Sequence, residues 1–250
     1  MENGKRRRKL LVPLMAAALV TIAALSFFIY VSGYSRADDI AVAALQSGDG
    51  VAVSQENGCI VFQPEGTKPK AGLIFYPGGK VETAGYAPLM RAVAERGYAC
   101  VLPKMPFNLA VFDANAADRL IKAYPEISSW FVGGHSLGGS MAASWCAGNL
   151  DRCGGLVLLA SYSASDLSRS GLPVLVITGS KDGVLNRAKF ESSRANLPAD
   201  AQFLEIAGGN HAQFGDYGQQ KDDGDAGITA SQQQVAAAEA IDSFITQALK

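Results

Sequence analysis

Trp130-Phe131-Val132-Gly133-Gly134-His135-Ser136-Leu137-Gly138-Gly139-Ser140-Met141-Ala142-Ala143-Ser144 places a short apolar run, a glycine-rich turn and a small-residue helical pattern in direct succession. The order predicts strand, tight turn and helix. Within it Gly134 and Gly138 flank Ser136 as G-x-S-x-G. Glycines there let strand and helix pack closely while the serine is held on a sharp, strained turn. A helix N-terminus beneath that serine favours negative charge developing on a bound group. A purely structural glycine turn is the competing reading, and the flanking strand and helix favour Ser136 as a nucleophile.

Outward from this stretch, apolar runs recur at 51–53, 59–62, 71–76, 99–102, 130–132, 155–159, 174–178 and 202–206. Helical patterns lie between several of them at 86–96, 114–123, 136–146 and 186–196, and 232–249 closes the chain. This alternation predicts an α/β fold, a mostly parallel sheet with helices on both faces. Runs from residue 71 onward are almost wholly apolar, as strands buried on both sides must be, whereas the first two are more polar and suit an antiparallel edge. Residues 161–172 leave little room for a cap domain before the next strand.

A serine hydroxyl needs a base, and the chain offers two imidazoles, His135 and His211. His135 adjoins Ser136 on so tight a turn that it is expected to pack beside the sheet or support the turn. His211 is left as base, on the loop Ala207-Gly208-Gly209-Asn210 that follows the run 202–206. An acid between nucleophile and base would orient the imidazole. Asp182, in Gly179-Ser180-Lys181-Asp182-Gly183 after the strongest late strand, fits best, with a plain Asp-Gly turn as its structural alternative. Asp216 is the rival carboxylate. An oxyanion needs backbone donors, expected from Leu137 and from the loop Pro77-Gly78-Gly79-Lys80, where Gly79 is preferred and Gly78 or Lys80 could substitute. The Lys80 side chain is expected to be solvated.

The composition, 48% hydrophobic and 18% charged over 250 residues, suits one core, and the net charge of −1 argues against a nucleic-acid surface. The basic residues cluster at one place, Lys5-Arg6-Arg7-Arg8-Lys9, before an uncharged, mainly apolar run at 10–31. As a helix that run would span roughly 33 Å, enough for a bilayer core. The expected organisation is a basic cytoplasmic stretch (1–9), a single transmembrane signal-anchor helix (10–31), a linker (32–50) and a catalytic domain (51–250) outside the cytoplasm. A cleaved signal peptide ending near Ser35-Arg36-Ala37 is the alternative, although its apolar part would be unusually long. Of the four cysteines, Cys146 and Cys153 are the preferred pair over Cys59 and Cys100, and buried free thiols are the alternative. Asp222, Asp223 and Asp225 lack EF-hand spacing and read as a mobile acidic loop, so neither metal nor cofactor is expected.

Four motifs, Tyr76-Pro77-Gly78-Gly79-Lys80-Val81-Glu82, Pro103-Lys104-Met105-Pro106, Gly133-Gly134-His135-Ser136-Leu137-Gly138-Gly139 and Gly208-Gly209-Asn210-His211-Ala212-Gln213-Phe214-Gly215, carry a family resemblance. With them the chain from about residue 71 to its end resembles the α/β-hydrolase superfamily, and more narrowly family 5, a dienelactone-hydrolase-like branch. The resemblance implies a three-layer α/β-hydrolase sandwich and a serine hydrolase with Ser136, Asp182 and His211 as triad. Dienelactone hydrolases use cysteine at the elbow, so serine here shifts the expected substrate toward carboxylic esters of small or medium size. A cell-envelope lipid hydrolase or peptidase, and a catalytically silent binding module on the same fold, are the alternatives.

Overall fold

A computed structural model describes residues 2–250, with side chains from residue 14 onward, and contains two units, Met1–Tyr34 and Ser35–Lys250. The first is a single helix, α1 (Glu2–Ser32). Its stretch Leu14–Ser32 has a mean hydropathy of 2.4 and is long and apolar enough to cross a membrane. Leu19, Val20 and Ile29 are exposed on it. The side chains of the basic stretch at 5–9 lie outside the described residues.

In the second unit all eight apolar runs are strands: β1 (Val51–Glu56), β2 (Cys59–Pro64), β3 (Gly72–Tyr76), β4 (Ala99–Pro103), β5 (Trp130–His135), β6 (Gly155–Leu159), β7 (Val174–Gly179) and β8 (Gln202–Ile206). They form one sheet in the order β1-β2-β4-β3-β5-β6-β7-β8. The β1–β2 and β2–β4 pairs are antiparallel and the others parallel, so the two more polar strands do lie at an antiparallel edge. Burial follows polarity. Every residue of β3 to β7 is buried, whereas four of the five residues of the opposite edge strand, β8, are exposed.

Successive side chains of a strand point to opposite faces, which splits the core in two. Leu73, Phe75, Phe131 and Val157 face α3 (Ala87–Ala94) and α7 (Ala230–Ala248). Ile74, Val132, Leu156 and Leu158 face α4 (Ala116–Ala123), α5 (Leu137–Gly148) and α6 (Arg187–Ser193). A capping box of Thr229 and Gln232 starts α7 by satisfying two otherwise orphaned N–H groups. Among the described residues, the connection from β6 to β7 contains no helix or strand, so no cap domain grows there. Cys146 and Cys153 lie side by side as buried thiols, with their Sγ atoms 2.7 Å apart.

Residues 35–50, expected as a linker, fold with the second unit. Ser35 bridges to Val81, donating its N–H to Lys80 O at 2.8 Å and accepting from the Glu82 N–H at 2.8 Å. Asp38 caps the short helix α2 (Asp39–Ala43), whose Ala41 is wholly buried. The Arg91 guanidinium donates to the carbonyls of Ala44, Gln46 and Gly48. These contacts join segments more than 40 residues apart, so no local pattern in 32–50 announces them. Arg91→Met keeps the apolar stem but removes the charged donors, and should cost about 1.5–3 kcal/mol in urea unfolding. Faster amide exchange at 44–48 should accompany the loss; unchanged exchange there would mean the segment is a free linker.

Candidate active site

β3 and β5 are neighbours, yet the chain continues from them to opposite sides of the sheet, to β4 and to β6. Such a reversal opens a crevice at the carboxyl ends of the strands. Pro77-Gly78-Gly79-Lys80 leaves β3 at one wall of that crevice, and Ser136 leaves β5 at the other.

Ser136 has φ 52° and ψ −122°, a conformation that costs a non-glycine residue on the order of 1–3 kcal/mol. Neighbouring hydrogen bonds hold it in place. Its N–H donates to Leu159 O at 2.9 Å, and its carbonyl accepts from Ser161 Oγ at 2.7 Å and from the Ser140 N–H at 3.2 Å. Close approach of α5 to the end of β3 completes the turn: a Cβ on Gly138 would overlap the carbonyl oxygens of Tyr76 and Pro77. The Leu137 N–H, first in α5, has no intrahelical acceptor and lies at the positive end of the helix.

Across the crevice, His211 Nδ1 and Asp182 Oδ2 are 2.9 Å apart, with both side chains buried. The other carboxylate oxygen, Asp182 Oδ1, accepts from the N–H groups of Val184 (2.9 Å) and Leu185 (2.8 Å). Burial alone would raise the Asp182 pKa; the hydrogen bond from His211, its charge and these two N–H groups outweigh that and lower it. A carboxylate at Nδ1 places the ring proton there and leaves Nε2 with its lone pair. Nε2 is buried and has no hydrogen-bond partner among the described residues. His211 and Ser136 line one cavity of about 260 Å³, with Leu137, Ser161, Tyr162 and Asn186.

The loop after β3 has three N–H groups, and two are consumed. Gly78 donates to Tyr86 Oη at 3.0 Å and Lys80 to Asn108 O at 2.7 Å, while Gly79 makes no such bond among the described residues. A Cβ on Gly79 would stand 2.9 Å from the Leu137 side chain, so the two candidate donors are neighbours. His135 is buried, with Nδ1 2.8 Å from Tyr86 Oη. Burial, then the nearby His211, holds its pKa well below the usual imidazole range. Asp216, the rival carboxylate, accepts from Gln234 Nε2 at 2.6 Å.

A model of the alpha/beta hydrolase family matches residues 72–235. The chain belongs to the alpha/beta hydrolase family. Among solved structures it is similar to TT1662 from Thermus thermophilus, at 16% identity over 80% of this chain and 98% of that one, with a TM-score of 0.59. The esterase domain of a Rhodothermus marinus protein shares 13% identity over 79% and 97% of the two chains, with a TM-score of 0.59. Est1E from Butyrivibrio proteoclasticus shares 13% over 80% and 99%, with a TM-score of 0.56. At these identities the likeness is one of fold. A comparison with curated protein sequences gives no match.

Two site features of this alpha/beta hydrolase have no signature in its sequence. Tyr86 is one. The other is Asp223, in the acidic loop expected from its sequence: its carboxylate accepts from the N–H groups of Gly183 (3.1 Å), His211 (3.2 Å) and Ala212 (2.8 Å). It thereby ties the Asp182 loop to the His211 loop. Loop composition alone conceals this, because the partners lie 40 and 12 residues away. A larger cavity, about 380 Å³, lies among Asp38, Asp216, Gln220 and Asp225 and reaches neither Ser136 nor His211.

The lowered pKa of Asp182 has a consequence for stability. Its contribution is fully present above the unfolded carboxylate pKa, about 3.9, and is lost as pH falls through the lower folded value. Wild type should therefore exceed Asp182→Asn in unfolding free energy at pH 6, and the gap should close as pH falls from about 5 to below 3. A gap that stayed constant with pH would mean that the carboxylate charge contributes nothing.

Proposed function

We propose that this chain is a serine hydrolase that cleaves carboxylic esters of small or medium size through an acyl-enzyme intermediate. One observation carries the reading. His211 and Ser136 line one cavity, and Asp182 holds His211 Nδ1 while Nε2, buried and without a partner among the described residues, is left as the basic nitrogen.

In this reading His211 Nε2 takes the Ser136 proton as Oγ attacks the acyl carbonyl, and the ester C=O becomes a tetrahedral oxyanion. The N–H groups of Leu137 and Gly79 stabilise that charge, and Asp182 stabilises the imidazolium. The imidazolium then gives its proton to the leaving alkoxide as the C–O bond breaks. Water, deprotonated by the same nitrogen, attacks the acyl-serine and releases the acid. A cavity of about 260 Å³ lies just below the usual range for ligand pockets, about 300–1,000 Å³, which favours a short acyl group. No cofactor enters these steps.

α1 would anchor the enzyme. An apolar helix with exposed side chains needs an apolar surrounding, and five cations precede the apolar run while Arg36 alone follows closely. The catalytic unit would then lie outside the cytoplasm.

The full chain in detergent should hydrolyse short p-nitrophenyl esters, and Ser136→Ala and His211→Ala should each lower kcat/KM by about 10³-fold or more. A folded wild type inactive on every ester would favour the silent binding module instead. A reporter fused after Lys250 should be active in the extracytoplasmic compartment; reporter activity in the cytoplasm would overturn the anchor orientation.

A further inference from the structure

We infer that Tyr86 is a positioning residue that sets the spacing of the two oxyanion donors, tying the loop after β3 to the elbow through one buried hydroxyl. The inference rests on the proposed function, because it assigns Tyr86 a part in holding Gly79 and Leu137. Tyr86 is wholly buried. Its Oη accepts the Gly78 N–H at 3.0 Å and lies 2.8 Å from His135 Nδ1. Gly78 precedes Gly79, and His135 stands two residues before Leu137, so one oxygen joins the two segments that present the donors.

A phenol has a single proton and its oxygen can accept two hydrogen bonds, so with Gly78 donating, Oη either donates to His135 Nδ1 or accepts from it, and in both cases one oxygen joins the two segments. Burial keeps both groups neutral, raising the Tyr86 pKa above the usual phenol range and lowering that of His135. The three groups meet at one point: a Cβ on Gly78 would stand 2.6 Å from Tyr86 Oη and 2.7 Å from His135 Nδ1. Phe75 and Tyr217 pack against the Tyr86 ring, at 5.6 Å and 5.9 Å between centroids.

Removing the hydroxyl leaves the Gly78 N–H and His135 Nδ1 buried without a partner, and the loop after β3 is free to move toward another acceptor. Gly79 would move with it. The ground state binds through the cavity and would be little affected, whereas the tetrahedral state depends on both donors. A purely structural Tyr86 would instead change stability and leave catalysis per folded molecule intact.

The test compares wild type, Tyr86→Phe and Phe75→Leu in the full chain. Phe75→Leu disturbs the same packing but keeps the hydroxyl. Tyr86→Phe should lower kcat by about 10–100-fold with KM within about twofold, and weaken an alkyl boronic acid, which forms a tetrahedral serine adduct, by a similar factor. Phe75→Leu should lower thermal stability and leave kcat and boronate affinity within about twofold of wild type. Wild-type kcat and boronate affinity in Tyr86→Phe would overturn the inference, as would equal losses in Phe75→Leu. Should Tyr86→Phe fail to fold, His135→Leu removes the other end of the bridge and must show the same split. A wild type that neither hydrolyses ester nor binds the boronate would overturn the proposed function, and this inference with it.

Discussion

The close approach of α5 to the end of β3 is the constraint on which the site depends. Where the Tyr76 and Pro77 carbonyls press against Gly138, no side chain can stand. That approach allows the chain to reverse at Ser136 in a conformation that a serine does not adopt unaided. It also brings the first N–H of α5 beside the loop after β3. The parallel register of β3 and β5, from Gly72 opposite Trp130 to Tyr76 opposite Gly134, ends the two strands at one level and lets both loops open on the same crevice.

Loops on a sheet edge would drift without cross-links, and two buried or half-buried polar groups supply them. Tyr86 joins the loop after β3 to the elbow; Asp223 joins the loop bearing Asp182 to the loop bearing His211. Tyr86 takes up the Gly78 N–H and meets the His135 side chain, and Asp223 takes up the N–H groups of Gly183, His211 and Ala212. Ser161 adds a third tie, from the strand end after β6 to the Ser136 carbonyl. Asp182 and His211 are already paired, so the proposed reaction would need little reorganisation.

The strands could be read from the sequence because burial on both faces demands near-continuous apolar runs, and runs such as Leu73-Ile74-Phe75-Tyr76 and Val174-Leu175-Val176-Ile177 meet that demand. Ser136 and His211 could be found because glycine spacing marks one and scarcity of histidine marks the other. The pairing of Asp182 with His211, expected from chain order, is met by the 2.9 Å contact. Tyr86, Asp223 and the packed segment 35–50 could not be read in this way. Each acts mainly through hydrogen bonds with backbone groups elsewhere in the sequence, N–H donors for Tyr86 and Asp223 and carbonyls for Arg91, and backbone groups carry no residue signature. Asp223 also sits among residues whose composition suits a loop tip, so its local context pointed away from the role it has.

The proposed chemistry turns on whether His211 Nε2 takes the Ser136 proton as Oγ attacks a carbonyl or phosphoryl centre. Treating the full chain with a fluorophosphonate and locating the adduct by peptide mass spectrometry tests this directly. A single adduct on Ser136, formed by wild type and absent from His211→Ala, is the expected result. An adduct on another residue, or none from the folded protein, would contradict the assignment of Ser136 as an activated nucleophile.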